Sequence, residues 1–343
     1  MKNHICNSIP VILGVAVTWT AGTQLSRIAA GGSSGPFFTV WFTTCWMVLA
    51  LPFSLILLRL LTVIKVLKPK EDKERKYDWK TIRFFFIRAC GFYFLWLGAN
   101  YIYVRALLIS SGAIVVAIFR GGSLFFVFSL SWIFLTEERK RSRLSTLLTC
   151  LAVTLAIGGV VLLSLMSVGA SETKILAPIL IIISAFFASM YEVLFKRFLG
   201  DASLTDVTLH LSFLGLFNTV GFWWIWVVLD KTSLEPLEFG SMSWGVQCLS
   251  SIVGFLFNVL IDFGIVISSP LFVSMGTTLG IPMNFFVDIW IYKVKFNASE
   301  FIGAAFVLAG VCVEIIARTK NGTKTQSKVS FDEKHDEASS DIS

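Results

Sequence analysis

The sequence predicts an all-α polytopic membrane protein with ten transmembrane helices, built as an inverted five-plus-five repeat. Three observations carry this prediction. Of 343 residues, 55% are hydrophobic and only 15% are charged, whereas a soluble domain carries roughly 25% charged residues. The charges cluster in short stretches separated by apolar runs of about 20 residues, the helix length that crosses a ~30 Å hydrocarbon core. The chain also matches itself at a shift of 158 residues. The apolar runs are continuous rather than alternating, which argues against barrel strands. Lipid offers no partner to a backbone N–H or C=O, so each run closes its hydrogen bonds internally, as helix.

In chain order, the first five spans fall at Ser8–Ala29, Phe37–Leu61, Phe84–Ile109, Gly112–Leu135 and Leu144–Ser167. The second five fall at Ile175–Leu199, Thr208–Leu229, Trp244–Ser268, Leu271–Tyr292 and Glu300–Ala317. Only Ser110, Ser111 and Gly112 separate spans three and four. The halves are residues 1–170 and 171–318, and the polar stretch 319–343 reads as a disordered cytosolic tail. Basic residues orient the bundle. Lys65, Lys68, Lys70, Lys73, Arg75 and Lys76 fill one loop, and Arg139, Lys140, Arg141 and Arg143 a second on the same side. Arg318 and Lys320 follow the last span, whereas an opposite loop carries Asp230, Glu235 and Glu238. Both termini are therefore expected in the cytosol, in Golgi, another endomembrane or the plasma membrane. The net charge of +7 is a topology signal rather than a nucleic-acid footprint.

The shift of 158 residues places Asn100 on Asn258, Ile109-Ser110-Ser111 on Ile267-Ser268-Ser269, Gly122 on Gly280 and Trp132-Ile133 on Trp290-Ile291. A unit of five spans, an odd number, makes the second copy enter the membrane inverted, a common plan of secondary transporters. Interrupted helices at matching depth point to the solute site in such folds. Here they are expected at Gly122 and at Gly280 with Pro282, since proline cannot donate to the helix ladder. Glycines at these positions equally serve close helix packing.

An ionisable residue within a span costs on the order of 2.5–3.5 kcal/mol and usually faces a cavity or a partner. Asn258 and Asp262 lie one turn apart on span eight, and Asn284 and Asp288 repeat that spacing on span nine. Together they predict an acidic, hydrogen-bonding wall. Arg120 is the deepest cation; it either neutralises Asp262, Asp288 or Glu192, or binds a solute carboxylate or phosphate. Glu192 and Lys196 share a face as an ordinary intrahelical pair. Trp41, Asn100 and Tyr103 are candidate lining residues among many packing aromatics. The cysteines are scattered, and His4, His210 and His335 lie far apart, so no metal site, disulfide framework or cofactor is suggested. No nucleophile–base pair or phosphate loop appears, so an enzyme is not expected.

These residues sit in stretches that resemble the drug/metabolite transporter superfamily, and within it the F branch of solute carrier family 35, the thiamine-transporter-like members. The stretches are Pro36–Trp41, Asn100–Tyr103, Phe126–Trp132, Val193–Lys196 and Leu199-Gly200. The run from Phe257-Asn258 through Asp262-Phe263-Gly264 to Gly280-Ile281-Pro282, Asn284 and Asp288 completes the set. The resemblance implies the inverted ten-helix (EamA-like) bundle, alternating access and thiamine as solute. There are departures: the branch has Lys near Leu124, one turn beyond Arg120, and Lys and Asn where this chain has Glu192 and Asp262.

The expected function is therefore a solute carrier for thiamine or another organic cation, balanced by the acidic wall and by aromatic faces. The alternatives are a nucleotide-sugar exchanger, which needs several deep cations, and a regulatory membrane protein that transports nothing. The expected partners are a small-molecule solute and the lipid bilayer, without nucleic acid, and with a homodimer left open.

Overall fold

The computed structural model describes residues 2–30, 35–63, 78–109, 112–139, 141–167, 176–200, 202–281, 283, 290 and 301–318. Among the described residues all regular structure is helical: α1 (Lys2–Ala30), α2 (Pro36–Cys45), α3 (Ala50–Val63), α4 (Trp79–Ile109), α5 (Gly112–Phe134) and α6 (Thr136–Arg139) come first. Then follow α7 (Arg143–Ser167), α8 (Leu176–Leu199), α9 (Leu204–Gly221), α10 (Trp223–Lys231), α11 (Trp244–Ile267), α12 (Pro270–Thr278) and α13 (Phe301–Arg318). Helices stand where the sequence places spans one to eight and ten, whereas most of span nine beyond α12 lies outside the described residues. Six are long and apolar enough to cross a bilayer, and seven if α9 and α10, bent by 40°, form one broken span. The described apolar stretches of α1 and α5 are shorter, Pro10–Gly22 and Ile118–Phe134, and α12 ends at Thr278. A multi-pass membrane protein follows from these helices; a count of ten extends past them. Their outer faces carry Ile56, Leu147, Val220 and other large exposed apolar side chains, a surface suited to lipid and unsuited to water.

Local irregularities have visible causes. A 3₁₀ turn, Trp46–Leu49, joins α2 to α3, and Ser212 of α9 serves the backbone there. Its hydroxyl accepts from Leu51 N–H (2.9 Å) and donates to the Val48 carbonyl (3.0 Å). Non-helical backbone at membrane depth is tolerated when protein groups satisfy it in this way. Gly215 allows the approach, since a Cβ there would lie 2.6 Å from Val48 N. α9 begins with a capping box between Ser203 and Asp206, each meeting an orphan donor of the other's backbone. α12 begins at the Ser269 cap with Pro270 at its first position, where the missing N–H costs nothing.

Two large hydrophobic cores, and a smaller one around Ala106, Phe119, Ile181 and Ala185, fill the bundle among the described residues. One joins Tyr93, Phe195, Leu211, Leu214 and Ile265; the other joins Leu124, Val127, Ala152, Leu271, Met275 and Val311. Each draws on residues from both sides of position 170, so helices far apart in the chain pack together. The packing is also reciprocal. α1 lies on α11 as α8 lies on α4; α12 meets α1 as α5 meets α8; α2 meets α11 as α9 meets α4.

Candidate functional site

A chain of polar contacts crosses the middle of the bundle. Arg120 of α5 is 5% exposed. Its guanidinium lies over the Trp19 ring of α1, 3.6 Å from the centroid, and Nη1 donates to Thr277 Oγ1 of α12 at 2.8 Å. Thr277 donates in turn to the Ser274 carbonyl (2.7 Å), and the Ser274 hydroxyl donates to Glu192 of α8 (2.5 Å). The neighbouring Tyr191 donates to Asp262 of α11 (2.9 Å). α1, α5, α8, α11 and α12 thus each contribute a side chain to these contacts. Among the described residues, the buried Arg120 Nε and Nη2 and Asp262 Oδ1 have no hydrogen-bond partner.

The sequence left Arg120 either to neutralise Asp262, Asp288 or Glu192 or to bind a solute oxyanion; among the described residues it forms no ion pair, and a threonine and an indole face hold it. Glu192 meets Ser274, while Lys196 Nζ donates to the Val266 carbonyl at 2.7 Å. Asn258 is half-buried next to Asp262 on α11 and links across to Trp96 Nε1 (3.4 Å). Its amide donates to the Gly254 carbonyl (2.7 Å), and Asn100 makes the equivalent bond to the Trp96 carbonyl (2.8 Å). The two asparagines, 158 residues apart, thus use their amides in the same way. Tyr103 packs its ring on Phe119, 4.8 Å between centroids, beside Arg120. Trp41 stands apart from this group, in an aromatic cluster with Phe38 and Trp226. Asn284, Asp288 and Pro282 lie outside the described residues.

The paired glycines sit at close approaches. α5 runs through Gly122 without interruption, because a single helical glycine costs only about 1 kcal/mol. A Cβ on Gly122 would lie 3.3 Å from Ala185 Cβ of α8, and one on Gly280 would lie 2.7 Å from Trp19 of α1. Gly280 also presents its carbonyl to Thr20 Oγ1 at 3.3 Å. α12 reaches its cap at Leu279 just before Gly280.

Sequence reasoning missed two charged clusters at the bundle ends. At one end Glu235, 5% exposed, accepts from Phe37 N–H (2.8 Å), Tyr101 OH (2.8 Å) and Arg105 (3.4 Å). At the other, Glu314 touches Arg141 (3.4 Å) and Arg318 (2.9 Å), and Glu138 touches the same arginines (2.8 and 3.8 Å). Arg318 also donates to the Ser269 cap, and Arg141 to Thr149 (2.9 Å). Glu138, Arg141, Arg318 and Glu235 read in sequence as loop charges. Glu314 had a signal, an acid within an apolar run, under the rule that singled out Asp262.

No family model matches the chain. It is 30% identical to human solute carrier family 35 member F3 over 315 residues, covering 88% of this chain and 71% of that protein. Human member F4 is 29% identical over 89% of this chain and 58% of its own length. Mouse member F5 is 32% identical over 62% of this chain and 40% of its own. A solved crystal structure covers 91% of this chain and 99% of its own with a TM-score of 0.63 at 16% identity, a likeness of fold. The all-helical bundle, its lipid-suited surface and these relatives agree: the chain belongs to the F branch of solute carrier family 35, within the drug/metabolite transporter superfamily.

Proposed function

We propose that the chain moves a small organic solute across the bilayer by alternating access. Residues 1–170 and 171–318 act as two five-helix halves of opposite orientation, ten spans in all, with both termini in the cytosol. The observation that carries this reading is the polar chain from Arg120 through Thr277 and Ser274 to Glu192, with Asp262 beside it. It lies where helices of both halves meet, as solute sites of inverted-repeat carriers do. The reciprocal helix packing and the matching bonds of Asn100 and Asn258 support the repeat, and the basic loops support the orientation.

For the solute, the reading is thiamine or another organic cation. Two buried-site carboxylates, one with a free oxygen at Asp262, can balance a fixed positive charge, and indole faces accept cations. Uptake of labelled thiamine and other organic cations into proteoliposomes tests it. Transport is expected in the native protein, with at least a tenfold loss in Asp262→Asn; unimpaired uptake by Asp262→Asn together with Asp288→Asn removes the acidic wall from the mechanism. Nucleotide sugars are the second reading: Arg120 offers a buried guanidinium whose Nε and Nη2 have no acceptor among the described residues, although such a solute calls for several deep cations.

A further inference from the structure

The unpaired atoms of Arg120 are the two that form one edge of the guanidinium. Nη1 is fixed by Thr277 at 2.8 Å, the flat face is covered by Trp19 at 3.6 Å, and Phe119 lies 5.4 Å away. What is left, Nε–H and one N–H of Nη2, points in parallel from the side of the group, and among the described residues neither has an acceptor. This side-on fork matches the two oxygens of a carboxylate or of a phosphate, the geometry in which arginine recognises oxyanions most strongly. A buried guanidinium with two donors that no described residue accepts from is costly to keep, because it has given up its hydration without a counter-charge. A snorkelling arginine would reach water instead; Arg120 is 5% exposed and held mid-helix. Of the acids nearest along the contact chain, Glu192 accepts from Ser274 and Asp262 accepts from Tyr191 through one oxygen, and neither forms an ion pair with Arg120 among the described residues.

Resting on the carrier reading, we infer that the solute bears a carboxylate or phosphate, which docks side-on against Nε and Nη2 of Arg120 while its cationic part faces Glu192 and Asp262. The solute class is then a zwitterion or a phosphorylated organic cation rather than a simple cation. Thr277 and Trp19 are positioning residues: one sets the rotation of the guanidinium, the other its plane. A lysine could not serve equally, because an ammonium offers a point charge and no parallel pair of donors.

The test uses matched probes that differ only in the oxyanion: thiamine against thiamine monophosphate, and tryptamine against tryptophan. Thermal stabilisation of the purified full chain is measured for the native protein, Arg120→Gln and Arg120→Lys. In at least one pair the oxyanion member is expected to bind about tenfold more tightly or better, a difference of about 1.4 kcal/mol. A preference within the thiamine pair assigns phosphate, and one within the tryptophan pair assigns carboxylate. The preference should vanish in Arg120→Gln and weaken in Arg120→Lys, whose retained charge guards against a simple folding defect. The inference is overturned if neither pair shows a preference in the native protein, or if the preference survives Arg120→Gln. Uptake of a solute by the native protein with unchanged KM in Arg120→Gln would also overturn it while leaving the carrier reading intact. Absence of any uptake by the native protein would instead count against the carrier reading itself.

Discussion

Neutralising Glu314 tests how the bundle is closed at one end. Its side chain has no exposed surface and lies between Arg141, 7% exposed, and Arg318, 13% exposed. In Glu314→Gln both guanidiniums must share Glu138, which is 2.8 Å from one and 3.8 Å from the other. Removing one partner of a buried ion pair costs about 3–5 kcal/mol, because a desolvated charge loses its counter-charge. The Arg318 contact is close, at 2.9 Å, yet Arg318 Nε lacks hydrogen-bond alignment, and glutamine can still accept from Arg141. The expected loss is therefore at the lower end, about 3 kcal/mol. Arg105→Gln at the opposite end is the internal comparison. Arg105 is 44% exposed, and Glu235 keeps Phe37 N–H and Tyr101 OH as donors, so solvent screening holds that loss to about 1 kcal/mol or less. Reversible unfolding in detergent micelles measures both, and a double-mutant cycle with Arg318→Gln isolates the pair. A loss below about 1 kcal/mol for Glu314→Gln, or one equal to that of Arg105→Gln, would refute the buried-network reasoning.

Three further outcomes are expected. In Gly159→Ala the new methyl would meet Gly303 O at 2.6 Å and Val307 N at 2.9 Å; overpacking of about 1–3 kcal/mol outweighs the gain of about 1 kcal/mol in helix propensity. The same change at Gly158, with nothing within 4 Å, should be neutral or stabilising, and thermal midpoints separate the two. Ser203→Ala removes the capping box of α9 and should cost about 1 kcal/mol, read as a lower unfolding midpoint. For sidedness, single cysteines replacing Arg139 and Glu238, both exposed, should react with an impermeant maleimide from opposite sides of the membrane in intact cells. Labelling of both from one side would overturn the orientation.

The sequence was legible wherever the property depends on a local run of residues. Apolar length fixed where the helices lie, down to the boundary at Gly112, because in lipid a long apolar run has one way to satisfy its backbone. It also singled out Arg120 and Asp262, because an ionisable group in an apolar run stands out whatever its neighbours. The relatives reached by comparison agree with the family that the motifs from Pro36–Trp41 to Asp262 resemble.

Partner choice was not legible. Arg120 faces Thr277 and Trp19, and Asp262 faces Tyr191, because contacts between helices depend on rotation and crossing geometry, which no single run encodes. Glu235 looks in sequence like a solvated loop charge, and only the assembled end of the bundle buries it. Gly122 reads equally as a hinge or as a packing site until its distance to Ala185 is known. What the chain determined alone is thus its membrane nature, its helices and its family. The tertiary structure decided which polar groups are satisfied and which remain free, since hydrogen bonding is a property of pairs and the pairs form only when helices from both halves pack.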